Sequence, residues 1–409
     1  MKYKVICKKC GETVGTFKEW FENGQKCTCG SNYAEVVYPE ADYSKLPEIF
    51  KKDIKSHFDY FDYLPLEHKE SVVSCEEGAI PMERWEHMER TAKEQYGIDC
   101  KVYMYRNDLN GGTGSFKDVS GSLAASCMKE HGVKEYCLAS TGNAGTAYAT
   151  YLAKAGIKFT CFSPAFVDRD VVDAVKGVGQ QMVVSMGSYG DAKTEVAEYA
   201  KKNGVLMSSG NTDPLRVESK RTIVFECMRQ LGQMPTVYMQ AVAGGTSPIA
   251  LEKGFRDVRS TFPELRMPRL LLVQQDECDP MVNAWEWAKE HNFPVDFEHH
   301  YEAKKDCHTR IGILTAANPG NYPIVAPLVR NSGGDFIRVK ESELPQYGKQ
   351  MRQETGILMG PASMVCYAGF YEALAKGLIK QNDVVLLNCG EGSTRSKWFV
   401  DEVEKLENK

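Results

Sequence analysis

Lys117 stands in the run Gly114-Ser115-Phe116-Lys117-Asp118, directly after an aromatic residue and close behind Gly111 and Gly112. A lysine amine reacts as a nucleophile when it is desolvated and loses its proton. An isolated lysine more commonly sits solvated on the surface, so its neighbours decide the reading. Ser140-Thr141-Gly142-Asn143-Ala144-Gly145 places hydroxyls, an amide and backbone N–H groups where a helix is about to start. That arrangement cradles a carboxylate, because a helix N-terminus offers unpaired N–H groups and a positive dipole end. The same residues would also serve as an ordinary Ser/Thr cap. Ala243-Gly244-Gly245-Thr246-Ser247-Pro248 is a second such loop. Its glycines let the backbone approach an anion, its hydroxyls add donors, and Pro248 suits the first turn of a helix. It reads as a phosphate cup.

A different chemistry is written near the N-terminus. Cys7 and Cys10 form Cys-x-x-Cys before Gly11, and Cys27 and Cys29 form Cys-x-Cys before Gly30. Two knuckles joined by a short polar hairpin would bring four thiolates into a closed tetrahedral zinc site of structural type. About 35 residues cannot build a core alone, so bound metal would stabilise them. Four reduced cysteines in a plain hairpin is the alternative.

The elements that position these loops follow from the apolar pattern. Strands are expected at 133–139, 157–163, 181–185, 205–208, 236–242, 269–275 and 384–388, with helices at 143–155, 170–177, 191–203 and 249–258. Strands alternating with helices argue for parallel sheets flanked by helices, and ligands in such folds lie at the carboxyl ends of the strands. The loops at 140 and 243 each follow a strand. Tyr33 to Tyr38 reads as a strand ending the hairpin, and residues 40–99 as helical covering structure.

Bulk properties narrow the class. The chain has 409 residues, enough for two or three domains, with 43% hydrophobic and 26% charged residues. A net charge of −5 gives no electrostatic reason to expect nucleic acid. No apolar run approaches the roughly 20 residues that span a bilayer, and the N-terminus does not read as a signal peptide. A cytoplasmic protein with mostly reduced cysteines is expected.

A lysine, a carboxylate cradle and a phosphate cup together meet the needs of pyridoxal 5'-phosphate (PLP) catalysis. The lysine holds the cofactor aldehyde, the cup its phosphate, and the cradle an amino-acid substrate. Their order along the chain resembles fold type II PLP enzymes, and the motifs resemble the threonine synthase branch. The resemblance rests on Gly-Ser-Phe-Lys-Asp at 114–118, Ala-Ser-Thr-Gly-Asn at 139–143, and the cysteine hairpin before its strand. It extends to Asn211-Thr212-Asp213-Pro214-Leu215-Arg216, Thr309-Arg310-Ile311-Gly312, Gly320-Asn321 and Gly360-Pro361-Ala362-Ser363. It covers most of residues 1–395.

This resemblance implies an α/β fold of type II with two doubly wound parallel-sheet domains and an N-terminal zinc-ribbon-like hairpin. The hairpin would be 1–34, the larger PLP-binding domain 35–118 with 225–409, and a smaller domain closing over substrate 119–224. It implies that Lys117 is the Schiff-base lysine and proton shuttle, with Phe116 flanking the cofactor. Asn143 would bond the pyridine 3'-oxygen, and Ala243, Gly244, Gly245 and Thr246 would hold the cofactor phosphate. Ser140 and Thr141 would hold the substrate carboxylate, and Asn211, Thr212 and Arg216 a leaving phosphate. The arginine suits a phosphate dianion because its fork of donors matches the oxygens. Cys389, in Asn388-Cys389-Gly390-Glu391, falls where the family places a hydroxyl beside the pyridine nitrogen; Glu391 is the other candidate. A homodimer is the expectation by analogy with the fold type.

The departures gather around the substrate. Val119-Ser120 stands where Arg-Gly is common, Ala144 where threonine is common, Gly360 in place of glutamate, and Val242 in place of the cup's first glycine. Three readings follow. The first is a threonine synthase-like reaction, converting O-phosphohomoserine and water to threonine and phosphate. The second is β-replacement or elimination on O-phosphoserine or a related amino acid, as in cysteate synthase. The third is a catalytically silent PLP-fold binding protein, against which retention of Lys117 and both anion loops argues.

Overall fold

The computed structural model describes residues 1–304 and 307–408. Its strands in chain order are β1 (Lys4–Cys7), β2 (Thr13–Gly15), β3 (Ala34–Val37), β4 (Met82–Arg84) and β5 (Lys101–Tyr105). These are followed by β6 (Glu135–Ala139), β7 (Lys158–Ser163), β8 (Gln181–Val184) and β9 (Leu206–Met207). The last four are β10 (Val237–Ala241), β11 (Arg269–Gln275), β12 (Asp335–Val339) and β13 (Val384–Asn388). Chain contacts divide the protein into two compact units. Met1–Ala79, Asn110–Phe225 and Arg256–Thr261 form the first; Ile80–Leu109, Glu226–Phe255 and Phe262–Lys409 form the second.

The first unit holds two sheets. One is antiparallel, in the order β2-β1-β3. The other is parallel, in the order β8-β7-β6-β9. β6 and β7 are nearly continuous apolar runs because helices cover them, as buried parallel strands require. The N-terminal hairpin does not stand alone. Its Tyr3, Phe17 and Trp20 are fully buried in one cluster with Leu123, Tyr148, Leu152 and Phe159. Shared burial therefore stabilises a segment too short for a core of its own.

The second unit contains a six-stranded sheet in the order β12-β11-β10-β13-β5-β4. All pairings are parallel except that of β4, which joins β5 antiparallel at the edge. Val237, Met239, Leu271, Val273 and Leu387 from this sheet pack with the buried helix Pro361–Ala375.

Several expectations change. The unit boundaries differ from 34/35, 118/119 and 224/225: residues 35–79 group with the first unit, since Phe58, Leu64, Leu66 and Val73 pack in the hairpin's cluster. Residues 40–99 are not a helical cover. Only Leu46–Phe50 and Glu86–Tyr96 are α-helical there, among short 3-10 turns and the strand β4. Pro65 and Pro81 lie between these elements, where each removes a backbone donor and interrupts regular structure, while Pro47 sits in the first turn of the helix Leu46–Phe50. β5 and β12 join the sheet without having been expected. Among the cysteines, Cys278 and Cys307 form a disulfide, with Cα atoms 4.9 Å apart, and the other twelve are thiols. No helix among the described residues is long and apolar enough to cross a membrane.

Leu271 is fully buried in the second unit's core. Leu271→Ala is expected to lower stability by about 2–5 kcal/mol through lost burial and a residual cavity, read as a shifted midpoint in denaturant unfolding.

Candidate active site

In the first unit, Lys117 immediately precedes the helix Asp118–Glu130. The loop before it is held by that helix's own first side chain. The fully buried Asp118 carboxylate accepts from Thr113 N, Thr113 Oγ1 and Ser115 N at 2.8–2.9 Å. Asn110 Nδ2 donates to Ser115 O at 3.1 Å, while its Oδ1 accepts from Gly78 N at 2.8 Å. A carboxylate at a helix N-terminus is also favoured by the dipole. These bonds leave Lys117 half-buried, with Nζ 4.5 Å from the centroid of the Phe116 ring.

Ser140-Thr141-Gly142 follows β6, and Asn143 begins the helix Asn143–Lys154. Ser140 Oγ accepts from Gly142 N and Gly145 N at 3.1 and 2.9 Å. Its oxygen therefore builds the loop. Thr141 is half-buried and Asn143 buried at the helix start.

Asn211 is exposed, and Thr212 donates its hydroxyl to Ser209 O at 3.2 Å. Arg216 lies in the short helix Pro214–Lys220, capped by Asp213, whose carboxylate accepts from Leu215 N. The guanidinium is 8% exposed, stands 5.4 Å from the Tyr148 ring centroid and donates from Nη2 to Ser208 Oγ at 3.1 Å. Arg216 Nε and the Tyr148 hydroxyl have no hydrogen-bond partner among the described residues. One residue absent from the sequence-level reading belongs to this group. Lys220, 5% exposed, places Nζ 5.2 Å from the same Phe116 ring and donates to Arg216 O at 3.0 Å. Burial, then the charges of Lys117 and Arg216, hold its pKa well below the usual lysine value. Its only sequence-level signal is a cluster of basic residues at 216–221.

In the second unit, Ala243 to Thr246 follow β10, and Thr246 starts the helix Thr246–Arg259, three residues earlier than expected. Gly245 has φ +72°, and a Cβ there would lie 2.7 Å from Val325 Cγ2. Asn321 Nδ2 donates to Gly244 O at 2.7 Å and anchors the turn.

Cys389 follows β13 and is buried, with Sγ 3.1 Å from Ser363 Oγ and 3.2 Å from Met359 Sδ. Burial, reinforced by Asp108, pushes its thiol well above the usual range, so it is neutral. Glu391 is occupied differently: its Oε1 accepts from Ala362 N at 3.0 Å, at the start of the helix Pro361–Ala375. A Cβ at position 360 would lie 2.5 Å from that oxygen. The glycine replacing the family's glutamate therefore leaves room for the carboxylate of Glu391.

The four N-terminal cysteines come together, their sulfur atoms all within 4.8 Å of one another. Gly11 N and Gly30 N donate back to Cys7 O and Cys27 O, and both glycines take positive φ, +77° and +82°, which closes each knuckle.

Each unit carries groups suited to part of a PLP molecule: the first a half-buried lysine beside an aromatic ring, the second a glycine turn at a helix N-terminus and a neutral sulfur. Residues 73–390 match the family of pyridoxal-phosphate dependent enzymes, and the chain belongs to it. The chain is similar to the threonine synthase of Methanocaldococcus jannaschii, 27% identical over 395 residues covering 94% of this chain and 91% of that protein. It is also similar to the cysteate synthase of Methanospirillum hungatei, 27% identical over 291 residues covering 70% and 68%. Among solved structures, the diaminopropionate ammonia lyase of Escherichia coli shares the fold, with TM-score 0.65 at 15% identity over 91% of this chain and 94% of that one.

Gly360→Glu is expected to cost about 1–3 kcal/mol through overpacking against Glu391. A Cβ at 360 would also lie 2.7 Å from the backbone oxygen of Gly392, so adding Glu391→Ala should recover only part of that loss, and a double-mutant cycle in denaturant measures the coupling.

Proposed function

We propose that this enzyme carries out PLP-dependent elimination and replacement on an amino acid with a phosphate leaving group, in a threonine synthase-like reaction. O-phosphohomoserine and water would become threonine and phosphate. The observation that carries this reading is the buried Arg216, whose Nε points to no protein partner and which shares one neighbourhood with Lys117 and Lys220. Asp213 lends Arg216 a negative charge, but a buried cluster that also holds Lys220 still favours a further anion. The similarity to threonine synthase along nearly the whole chain supports the same reading.

Bound PLP supplies an electron sink for the pair left when the substrate loses a proton at carbon. The protein's own groups do the rest. Lys117 Nζ holds and moves protons. The backbone N–H groups at the start of the helix Asn143–Lys154 receive the substrate carboxylate, with Thr141 beside them. Arg216 draws the phosphate away, Asn211 and Thr212 lying one turn before it. Ala243 to Thr246 would hold the cofactor phosphate, Asn143 would meet the 3'-oxygen and Cys389 the ring nitrogen. Cys389, kept a neutral thiol by burial, would offer that nitrogen no charge, which would favour elimination and replacement over transamination. Cys7, Cys10, Cys27 and Cys29 hold a structural zinc.

A second reading, replacement on O-phosphoserine, is favoured by the similarity to cysteate synthase and by Ala144 and the exchange at Gly360, which alter the family's substrate side.

Phosphate release from O-phosphohomoserine and from O-phosphoserine separates the two. Lys117→Ala should lose the visible absorbance of bound PLP and about 10²–10⁴-fold or more in rate. Arg216→Ala should raise KM for the phosphate ester about 10–100-fold, the worth of a charged hydrogen bond. Indifference of wild type to both esters would sink the phosphate reading. Metal analysis should find one zinc per chain, lost in Cys7→Ser; native protein without stoichiometric zinc would refute the metal site.

A further inference from the structure

We propose that Lys220 is a specificity-determining residue that, with Arg216, binds the substrate's leaving group as a dianion and takes up a proton as it does so. This rests on the phosphate-leaving-group reading above and adds a residue and a charge state to it.

The geometry supplies the reason. Lys117 and Lys220 approach one aromatic ring, with Nζ atoms 4.5 and 5.2 Å from the Phe116 centroid. Lys220 lies one helical turn after Arg216 and is tied to it by the bond to Arg216 O. An ammonium has three donors, and this bond uses one. The charges acting on Lys220 are those of Lys117, Arg216 and the buried Asp213. Three basic groups thus face one carboxylate in a desolvated place. The nearby phenols add no negative charge, since burial pushes Tyr148 up to about 12 and Tyr136 well above the usual phenol value.

With Lys117 taken up by the cofactor, Arg216 and a protonated Lys220 still face the single Asp213 carboxylate, and a phosphate dianion offsets the excess positive charge. Without an anion, burial and the neighbouring positive charges make Lys220 give up its proton more readily than an ordinary lysine. Arrival of the dianion reverses that balance, because a nearby opposite charge favours the ammonium. Binding is then coupled to proton uptake. Affinity must fall as pH rises through the window between the lowered pKa and the pKa with anion bound. Arg216 cannot produce this dependence, since a guanidinium stays protonated.

The test uses the full-length PLP-loaded protein and inorganic phosphate, titrated calorimetrically from about pH 8 upward, where phosphate is already largely a dianion. Wild type should bind phosphate with an affinity that falls by up to about ten-fold per pH unit. Lys220→Gln should bind at least about 10-fold more weakly and without that slope. Lys220→Arg should restore the affinity, again without the slope, because its charge is permanent. A purely structural lysine would not give that pair of results. A Lys220→Gln chain with wild-type affinity and slope overturns the inference. If Lys220→Gln does not fold, a retained slope in Lys220→Arg overturns it equally. Should phosphate binding depend on Arg216 and not on Lys220, this inference falls while the phosphate reading stands. Should wild type bind no phosphate, both fall. A matching rise in KM for O-phosphohomoserine assigns the pair to the ester, and weaker phosphate binding alone assigns it to released phosphate.

Discussion

The buried Asp118 carboxylate is the interaction on which the lysine loop depends. It gathers two backbone N–H groups and a hydroxyl from residues 113–115, and thereby fixes the chain on the N-terminal side of Lys117. A carboxylate out of water is tolerable only when such bonds replace its hydration. The cost of burying it becomes rigidity in the loop, and the Lys117 amine inherits a defined place against Phe116. Preorganisation of that kind is what a proton-transferring group needs, since small misplacements are expensive in rate.

The two units share one local design at a helix start. Asn143 opens one helix after β6, and Thr246 opens another after β10. In each case a strand ends, a small-residue turn exposes backbone N–H groups, and the helix dipole adds a favourable field. Ser140 shapes the turn from within, its hydroxyl oxygen accepting from Gly142 N and Gly145 N. In the second unit Cys389 contributes a neutral group, because burial beside Asp108 disfavours the thiolate.

Gly360 and Glu391 show how a missing side chain makes room for another. A carboxylate sits at the start of the helix Pro361–Ala375, supplied by Glu391 from the segment after β13. A Cβ at 360 would lie 2.5 Å from its Oε1.

The parallel strands were legible because burial on both faces makes them continuous apolar runs, so β10, β11 and β13 stand out in the sequence. Residues 40–79 were not, since short aromatic turns broken by prolines carry no period, and their packing partners lie far along the chain. β12 alternates around charged ends and is equally quiet. Sequence alone determined the lysine in its glycine-bearing run, the two small-residue loops before helices and the paired cysteine knuckles, because each is a local pattern of neighbouring residues. Only tertiary structure decided that Lys220 lies buried against Phe116 beside Arg216, and that Glu391 occupies the space over Gly360. Both are matters of desolvation and contact between distant segments, and charge energetics change most steeply with those two quantities.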